Sequence, residues 1–220
     1  MKIIRYLADR KIEYGILDGE QVQALDGDPF AQIKKSGRSC ALKDVKLLSP
    51  CAPSKIVAIG LNYHAHAKEV NQPAPEEPIM FFKPSTSVIG PEDNIIYPAG
   101  TTRVDFECEL GVVIGKQATK VSKEASMSHV FGYTCVNDVS ARDWQKNDLQ
   151  WARAKGSDTF APVGPCIETD LDPANVVIET FLNGEMKQQA NTSDLIFDVP
   201  TLISYVSQVI TLLPGDIIAT

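Results

Sequence analysis

The stretch "DFECELGVVIG", Asp105 to Gly115, governs how the rest of the chain is read. Its second half, Leu110 to Ile114, is an apolar run carrying two valines and an isoleucine, the composition of a buried strand. Its first half sets Asp105, Glu107 and Glu109 at alternate positions, and residues i and i+2 leave the same face of a strand. Read as one strand, the stretch puts three carboxylates in a row beside a buried segment. Like charges repel, and a buried carboxylate is costly unless something positive pairs with it. A hard divalent cation is the usual neutraliser of clustered Asp and Glu. An E-x-E pair alone is more often a solvated acidic strand edge, and Asp105, at the start, suits that description best.

A third ligand has to come from a neighbouring strand or loop. "CVNDVSARD" offers Asp138, which follows the apolar segment "VFGYTCV" and opens a loop. Glu107, Glu109 and Asp138 with waters would suit octahedral Mg²⁺, with Mn²⁺ or Ca²⁺ as substitutes, and leave positions open for a substrate oxygen. A second cluster lies in "GLNYHAHAKE", where His66 and Glu69 are three apart and become neighbours on a helical turn. A carboxylate that fixes an imidazole makes a general-base pair, and equally an ordinary surface ion pair. Beyond Asp138, Arg142 and Gln145 stand one helical turn apart, and Lys155 sits in the Gly/Pro-rich "RAKGSDTFAPVGP", read as a loop. Such donors suit bound carboxylates and developing enolates, although each singly is an ordinary surface residue.

Bulk properties narrow the classes. The 220 residues are 44% apolar with a formal net charge of -7. That permits a sizeable core and argues against a nucleic-acid partner, which calls for a basic face. No apolar run approaches the roughly 18 residues of a membrane span. The N-terminus "MKIIRYLADRK" is broken by Arg5, Asp9 and Arg10 and does not read as a signal peptide. Five scattered cysteines without C-x-x-C read as reduced thiols of a cytoplasmic protein.

Residues 1–52 read as a small N-terminal β domain, with a hairpin around Asp18-Gly19, and 53–220 as the main domain. "SPCAPSK" is the connector between them. Strand signals dominate: "KIVAIG", "IMFFK", "ELGVVIG", "VFGYTCV" and "VVIETFLNG". Helical signals are "YHAHAKEV", "SARDWQKNDLQWARA" and "TSDLIFDVPTLISYVSQVI". The Pro-rich "VNQPAPEEP", 70–78, is either a lid over the His66/Glu69 pair or a plain connection. The fold class is α+β, β-dominated. "LLPGDIIAT" ends on a strand signal, so the C-terminus is read as truncated.

In order, "VAIGLNYHAHAKE", "FFKPSTSVIGP", "VDFECELGVVIG", "GYTCVNDVSARDWQ", "KGSDTFAPVGP" and the run from "NTSDLIFDVP" to "GDIIAT" resemble the fumarylacetoacetate hydrolase family over about Lys55 to Thr220. The resemblance implies a mixed β-sandwich roll, usually homodimeric, with a small N-terminal domain of the kind many bacterial members carry. It implies Glu107, Glu109 and Asp138 as metal ligands, His66, Glu69 and Lys155 as catalytic groups, and Arg142 and Gln145 as substrate contacts. The implied activity is C–C bond hydrolysis of a 2,4-dioxo acid of acylpyruvate or fumarylpyruvate type through a metal-bound enolate. A 2-oxo diacid decarboxylase or a 2-hydroxydienoate isomerase could use the same site, and an inactive binding or structural member of the fold is the non-enzyme alternative. The family pattern continues beyond residue 220 with a Gly-Thr-Pro segment. The expectation is therefore weak substrate binding, and lower stability unless a partner covers the apolar strand Ile217–Ile218.

Overall fold

Two positive-φ residues, Asp9 and Arg10, make a two-residue turn between β1 (Lys2–Ala8) and β2 (Lys11–Asp18). Consecutive left-handed residues match the twist of the strands they join. The computed structural model describes residues 1–220. After a second turn at Gly19 come β3 (Gln21–Leu25), β4 (Lys35–Ala41) and β5 (Lys46–Leu48). Beyond the Pro/Ser connector follow β6 (Lys55–Gly60), α1 (His64–Glu69), β7 (Ile79–Pro84), β8 (Val88–Ile89), β9 (Val104–Asp105) and β10 (Cys108–Ile114). Next are α2 (Lys123–Ser126), β11 (Val130–Asn137), β12 (Ser140–Ala141), α3 (Arg142–Asn147), α4 (Ala152–Gly156) and β13 (Ala161–Glu168). The chain continues through β14 (Val177–Leu182), β15 (Glu185–Asn191), α5 (Val199–Ser207) and β16 (Ile217–Ala219).

One large mixed sheet runs β4-β3-β2-β1-β13-β11-β10-β16-β6-β7, with β5 beside β1 and β8 beside β13. The β16–β6 and β13–β8 pairs are parallel and the others antiparallel. The sheet does not stop at the connector: β1 joins β13 through Lys2 opposite Glu168 and Ile3 opposite Ile167. The core crosses with it, for Ile3, Ile16 and Leu25 pack in one cluster with Ile56, Val113 and Ile217. No helix is long and apolar enough to cross a membrane.

Strand alternation explains the apolar run that opened the reading. Val112 and Ile114 enter one core cluster with Leu202, Ile203 and Val206 of α5, while Val113 enters the other. The sequence there is uniformly apolar because the strand is buried on both faces. The same holds for β16, where Ile218 faces the first cluster and Ile217 the second. It lies between β10 and β6, so the expected need for a partner to cover a bare apolar edge does not arise.

Three sequence expectations are corrected. "DFECELGVVIG" is not one strand: Asp105 belongs to β9, which pairs with β12 in a separate small sheet, and the chain breaks at Phe106–Glu107 before β10. "SARDWQKNDLQWARA" forms two short helices rather than one, and Lys155 lies in the second, α4, not in a loop. The segment after it is also strand from Ala161. Its prolines disguised it, and β13 tolerates them because its pairing with β11 is irregular, with a register shift between Tyr133 and Cys135.

Candidate metal centre and cavity

Each carboxylate is delivered by a different local device. Glu109 stands second in β10, opposite Val136 of β11, and Glu107 immediately precedes that strand. Asp138 follows the end of β11, and its N–H donates to the Glu107 carbonyl at 2.8 Å. Their nearest oxygens all lie within 4.8 Å of one another. Asp105 does not join them: it accepts from Arg103 Nη2 at 2.8 Å and Arg142 Nε at 2.9 Å.

The cations answer what neutralises the acidic row, and they answer it unequally. Glu107 accepts from Arg142 Nη2, from Lys155 Nζ at 2.6 Å and from Ser140 Oγ at 3.1 Å. Burial raises its pKa, but Lys155 and Arg142 outweigh that and hold it at about 2. Asp138, fully buried, accepts from Lys155 Nζ at 2.5 Å and from Lys83 Nζ. Burial works against the charge on Lys155, yet Asp138 and Glu107 prevail and raise its pKa. Glu109 is the exception. Its Oε2 is shielded from solvent and has no hydrogen-bond partner. Burial, then the charges of Asp138 and Glu107, push its pKa well above the carboxylate range.

Lys83 is the functional neighbour that sequence reading missed. It lies near the end of β7 with no exposed surface, and Nζ donates to Asp138 Oδ1, to the Lys155 carbonyl and to the Val139 carbonyl at 3.2 Å. Its signal was present: one lysine closing the apolar run "IMFFK". A lysine buried without a partner is very rare, so such a residue implies a carboxylate beside it.

The trio lies in a cavity of about 1010 Å³ whose wall also includes His66, Glu69, Arg142, Gln145, Lys155 and Thr220. His66 Nδ1 is 3.2 Å from Glu69 Oε2, and both side chains are solvent-exposed, which puts the pair at the rim. Arg142 Nη1 donates to Gln145 Oε1 at 2.8 Å and so turns the amide NH₂ of Gln145 outward for another acceptor. The β14–β15 hairpin forms one side. Gln188 pins it by accepting from the Cys108 N–H at 2.9 Å and donating to the Cys108 carbonyl at 3.0 Å, as an extra strand would. The 70–78 segment has no regular structure and meets α5 where Tyr205 Oη donates to Glu77 at 3.1 Å.

Six carboxyl groups and four Lys/Arg side chains line the cavity, an excess of acidic groups. A divalent cation fits what is there: an all-oxygen donor set, an unpartnered shielded oxygen, and an excess of acidic groups.

The family comparison agrees with the fold. Residues 55–220 match the model described as fumarylacetoacetate (FAA) hydrolase C-terminal, and residues 1–50 match Rv2993c-like, N-terminal. A mitochondrial oxaloacetate tautomerase of Bos taurus is 46% identical over 183 residues, covering 80% of this chain and 58% of that protein. The crystal structure of a 2-hydroxyhepta-2,4-diene-1,7-dioate isomerase from Mycobacterium marinum is 42% identical with a TM-score of 0.93, covering 100% of this chain and 86% of that one. A maleylpyruvate hydrolase from Sphingobium, solved with manganese(II) and pyruvate, is 30% identical with a TM-score of 0.80, covering 100% of this chain and 88% of that one. With its main segment matched from Lys55 to Thr220 and its first fifty residues matched separately, the chain belongs to the fumarylacetoacetate hydrolase family.

Proposed function

We propose that the protein is a divalent-metal-dependent hydrolase that cleaves a C–C bond in a 2,4-dioxo acid of acylpyruvate or fumarylpyruvate type. The observation that carries this reading is the convergence of Glu107, Glu109 and Asp138 in one cavity with the His66–Glu69 pair at its rim. These three carboxylates would hold the ion, Mg²⁺ by preference, with Mn²⁺ or Ca²⁺ as substitutes. When bound, the ion supplies Lewis acidity, polarising the 2-oxo group and stabilising negative charge on its oxygen as the C3–C4 bond breaks.

The chain's own groups divide the remaining work. Glu69 holds Nδ1 of His66, leaving Nε2 to take a proton from the water that attacks C4. Lys155 has three N–H donors; Glu107 and Asp138 take two, and the third is left for the oxyanion at C4. Gln145, oriented by Arg142, offers its NH₂ to the same oxyanion or to the substrate carboxylate. The acidic excess of the cavity lining disfavours an anionic acid, so the cation binds before the substrate.

A second reading is enol–keto tautomerisation of a 2-oxo diacid, favoured by the 46% identical oxaloacetate tautomerase. It uses the same ion-binding carboxylates but no attacking water. Both are tested by following an enolised acylpyruvate and enol-oxaloacetate by ultraviolet absorbance, with Mg²⁺ and with EDTA. Hydrolysis is expected with Mg²⁺ only, and His66→Ala is expected to lower its kcat by ~10²–10⁴ while leaving Mg²⁺ affinity unchanged. Normal hydrolysis by that variant would make the His66–Glu69 pair structural. Tautomerisation without any hydrolysis by the wild type would replace the first reading with the second.

A further inference from the structure

Lys83 touches no part of the cavity surface, yet it contacts two of the groups that shape it. Its ammonium donates to Asp138 Oδ1, to the Val139 carbonyl at 3.2 Å and to the Lys155 carbonyl. All three donors of the ammonium are thereby used. The arrangement is asymmetric about Asp138. One carboxylate oxygen, Oδ1, is held on the β7 side by Lys83; the other, Oδ2, meets Lys155 Nζ at 2.5 Å. The grip on the Lys155 carbonyl also fastens α4 to β7, and with it the backbone from which the Lys155 side chain reaches Glu107 and Asp138.

We propose that Lys83 is a positioning residue of the metal centre: by holding Asp138 Oδ1 and the Lys155 carbonyl together, it leaves Asp138 a single oxygen to give to a cation and keeps Lys155 in register with it. This rests on the reading of Glu107, Glu109 and Asp138 as the cation's ligands. Its consequence is selectivity. Mg²⁺ and Mn²⁺ take six ligands in near-octahedral geometry, for which one-oxygen carboxylates are well suited. Ca²⁺ takes six to eight and accepts carboxylates through both oxygens. A fixed Asp138 disfavours the second mode. Freed from Lys83, Asp138 can turn both oxygens toward the cavity, and the discrimination weakens. A role confined to stability would not alter the ratio of two ion affinities.

The test measures Mn²⁺ binding by electron paramagnetic resonance, and Ca²⁺ binding by competition, in the wild type and in Lys83→Met. Lys83→Met is expected to bind Mn²⁺ ~10–100-fold more weakly, the usual loss when a group supporting a ligand is removed, and to lose less for Ca²⁺. Equal losses for both ions, or no loss, would overturn the proposal. Should Lys83→Met fail to fold, a crystal structure of the wild type with Mn²⁺ decides. Asp138 bound through Oδ2 alone, with Lys83 still on Oδ1, supports the proposal; both oxygens on the ion with Lys83 displaced overturns it. Failure of the wild type to bind either ion at millimolar concentration would instead remove the metal reading itself, and this proposal with it.

Discussion

Asp216 and Glu109 both carry carboxylate oxygen away from water, and the fold treats them in opposite ways. Asp216, just before β16, has no exposed surface. It accepts from the Ser54 N–H at 2.9 Å, Ser54 Oγ at 2.7 Å, the Lys55 N–H at 3.2 Å, the Leu213 N–H at 2.8 Å and Lys55 Nζ. Those five donors tie the connector to the start of β16 and leave the charge nothing to seek. Glu109 Oε2 has none, and its neighbours Glu107 and Asp138 add repulsion. A carboxylate with a purely structural task is saturated by the protein. One left unsaturated among other carboxylates is poised for a ligand that the protein does not itself supply.

The first way to break this comparison is to remove the saturated member. Asp216→Ala strands three backbone N–H groups and the Lys55 ammonium, and is expected to cost roughly 3–5 kcal/mol. Urea unfolding measures it. A loss under about 1 kcal/mol would mean that the donor shell around Asp216 is ornamental. Mn²⁺ affinity of the folded variant should stay within about two-fold of the wild type, because Asp216 is not part of the cavity wall.

Acidity sharpens the contrast, because the cavity carboxylates have opposite signs. Glu107 is held at about 2, so its contribution to stability is complete above the unfolded carboxylate range and is lost as pH falls toward that value. Glu109 is raised, so the native state keeps its proton where the unfolded chain has released it. Its contribution therefore falls as pH rises from the unfolded range, about 4.3, through the raised native value. Glu109→Gln removes that dependence. Metal-free wild type and variant should have similar stability near pH 4, with the variant gaining relative to the wild type as pH rises toward 8. A constant difference across that range would contradict the assignment. A bound cation needs the ionised carboxylate, so Mn²⁺ binding should release protons at pH 6, seen as a buffer-dependent heat in calorimetry.

The smallest effect concerns how the hairpin is fastened. Gln188→Ala leaves the N–H and carbonyl of Cys108 without their side-chain partners and should cost ~1–2 kcal/mol, lowering Tm by a few degrees. An unchanged Tm would mean that the β14–β15 hairpin is held by its apolar contacts alone.

What the sequence made legible follows from the range of each signal. Strand alternation acts over a few residues, so the apolar run Leu110–Ile114 and the i, i+2 spacing of Glu107 and Glu109 were readable directly, although Glu107 falls just before β10. The break before β10 was not, because Asp105 continues the alternate acidic pattern; only the pairing of β9 with β12 separates it. Prolines hid β13, since proline argues against a central strand when the irregular register that accommodates it is unknown. Lys83 lies 55 positions from Asp138 along the chain, and no local pattern links two residues so far apart. The continuity of the sheet from β1 into β13 was equally out of reach, being a contact between strands some 160 positions apart.

The central claim is that Glu109 is left unsaturated because a divalent cation completes it. Titrating Mn²⁺ into the wild type and into Glu109→Gln at pH 7.5, with the metal-free stability of both measured in the same buffer, tests it most directly. The expected result is one ion bound by the wild type, affinity weakened more than ~10²-fold in the variant, beyond the range for groups that merely support a ligand, and a metal-free variant at least as stable as the wild type. Unchanged affinity, or a variant destabilised as severely as Asp216→Ala, would contradict the claim and make Glu109 a structural carboxylate.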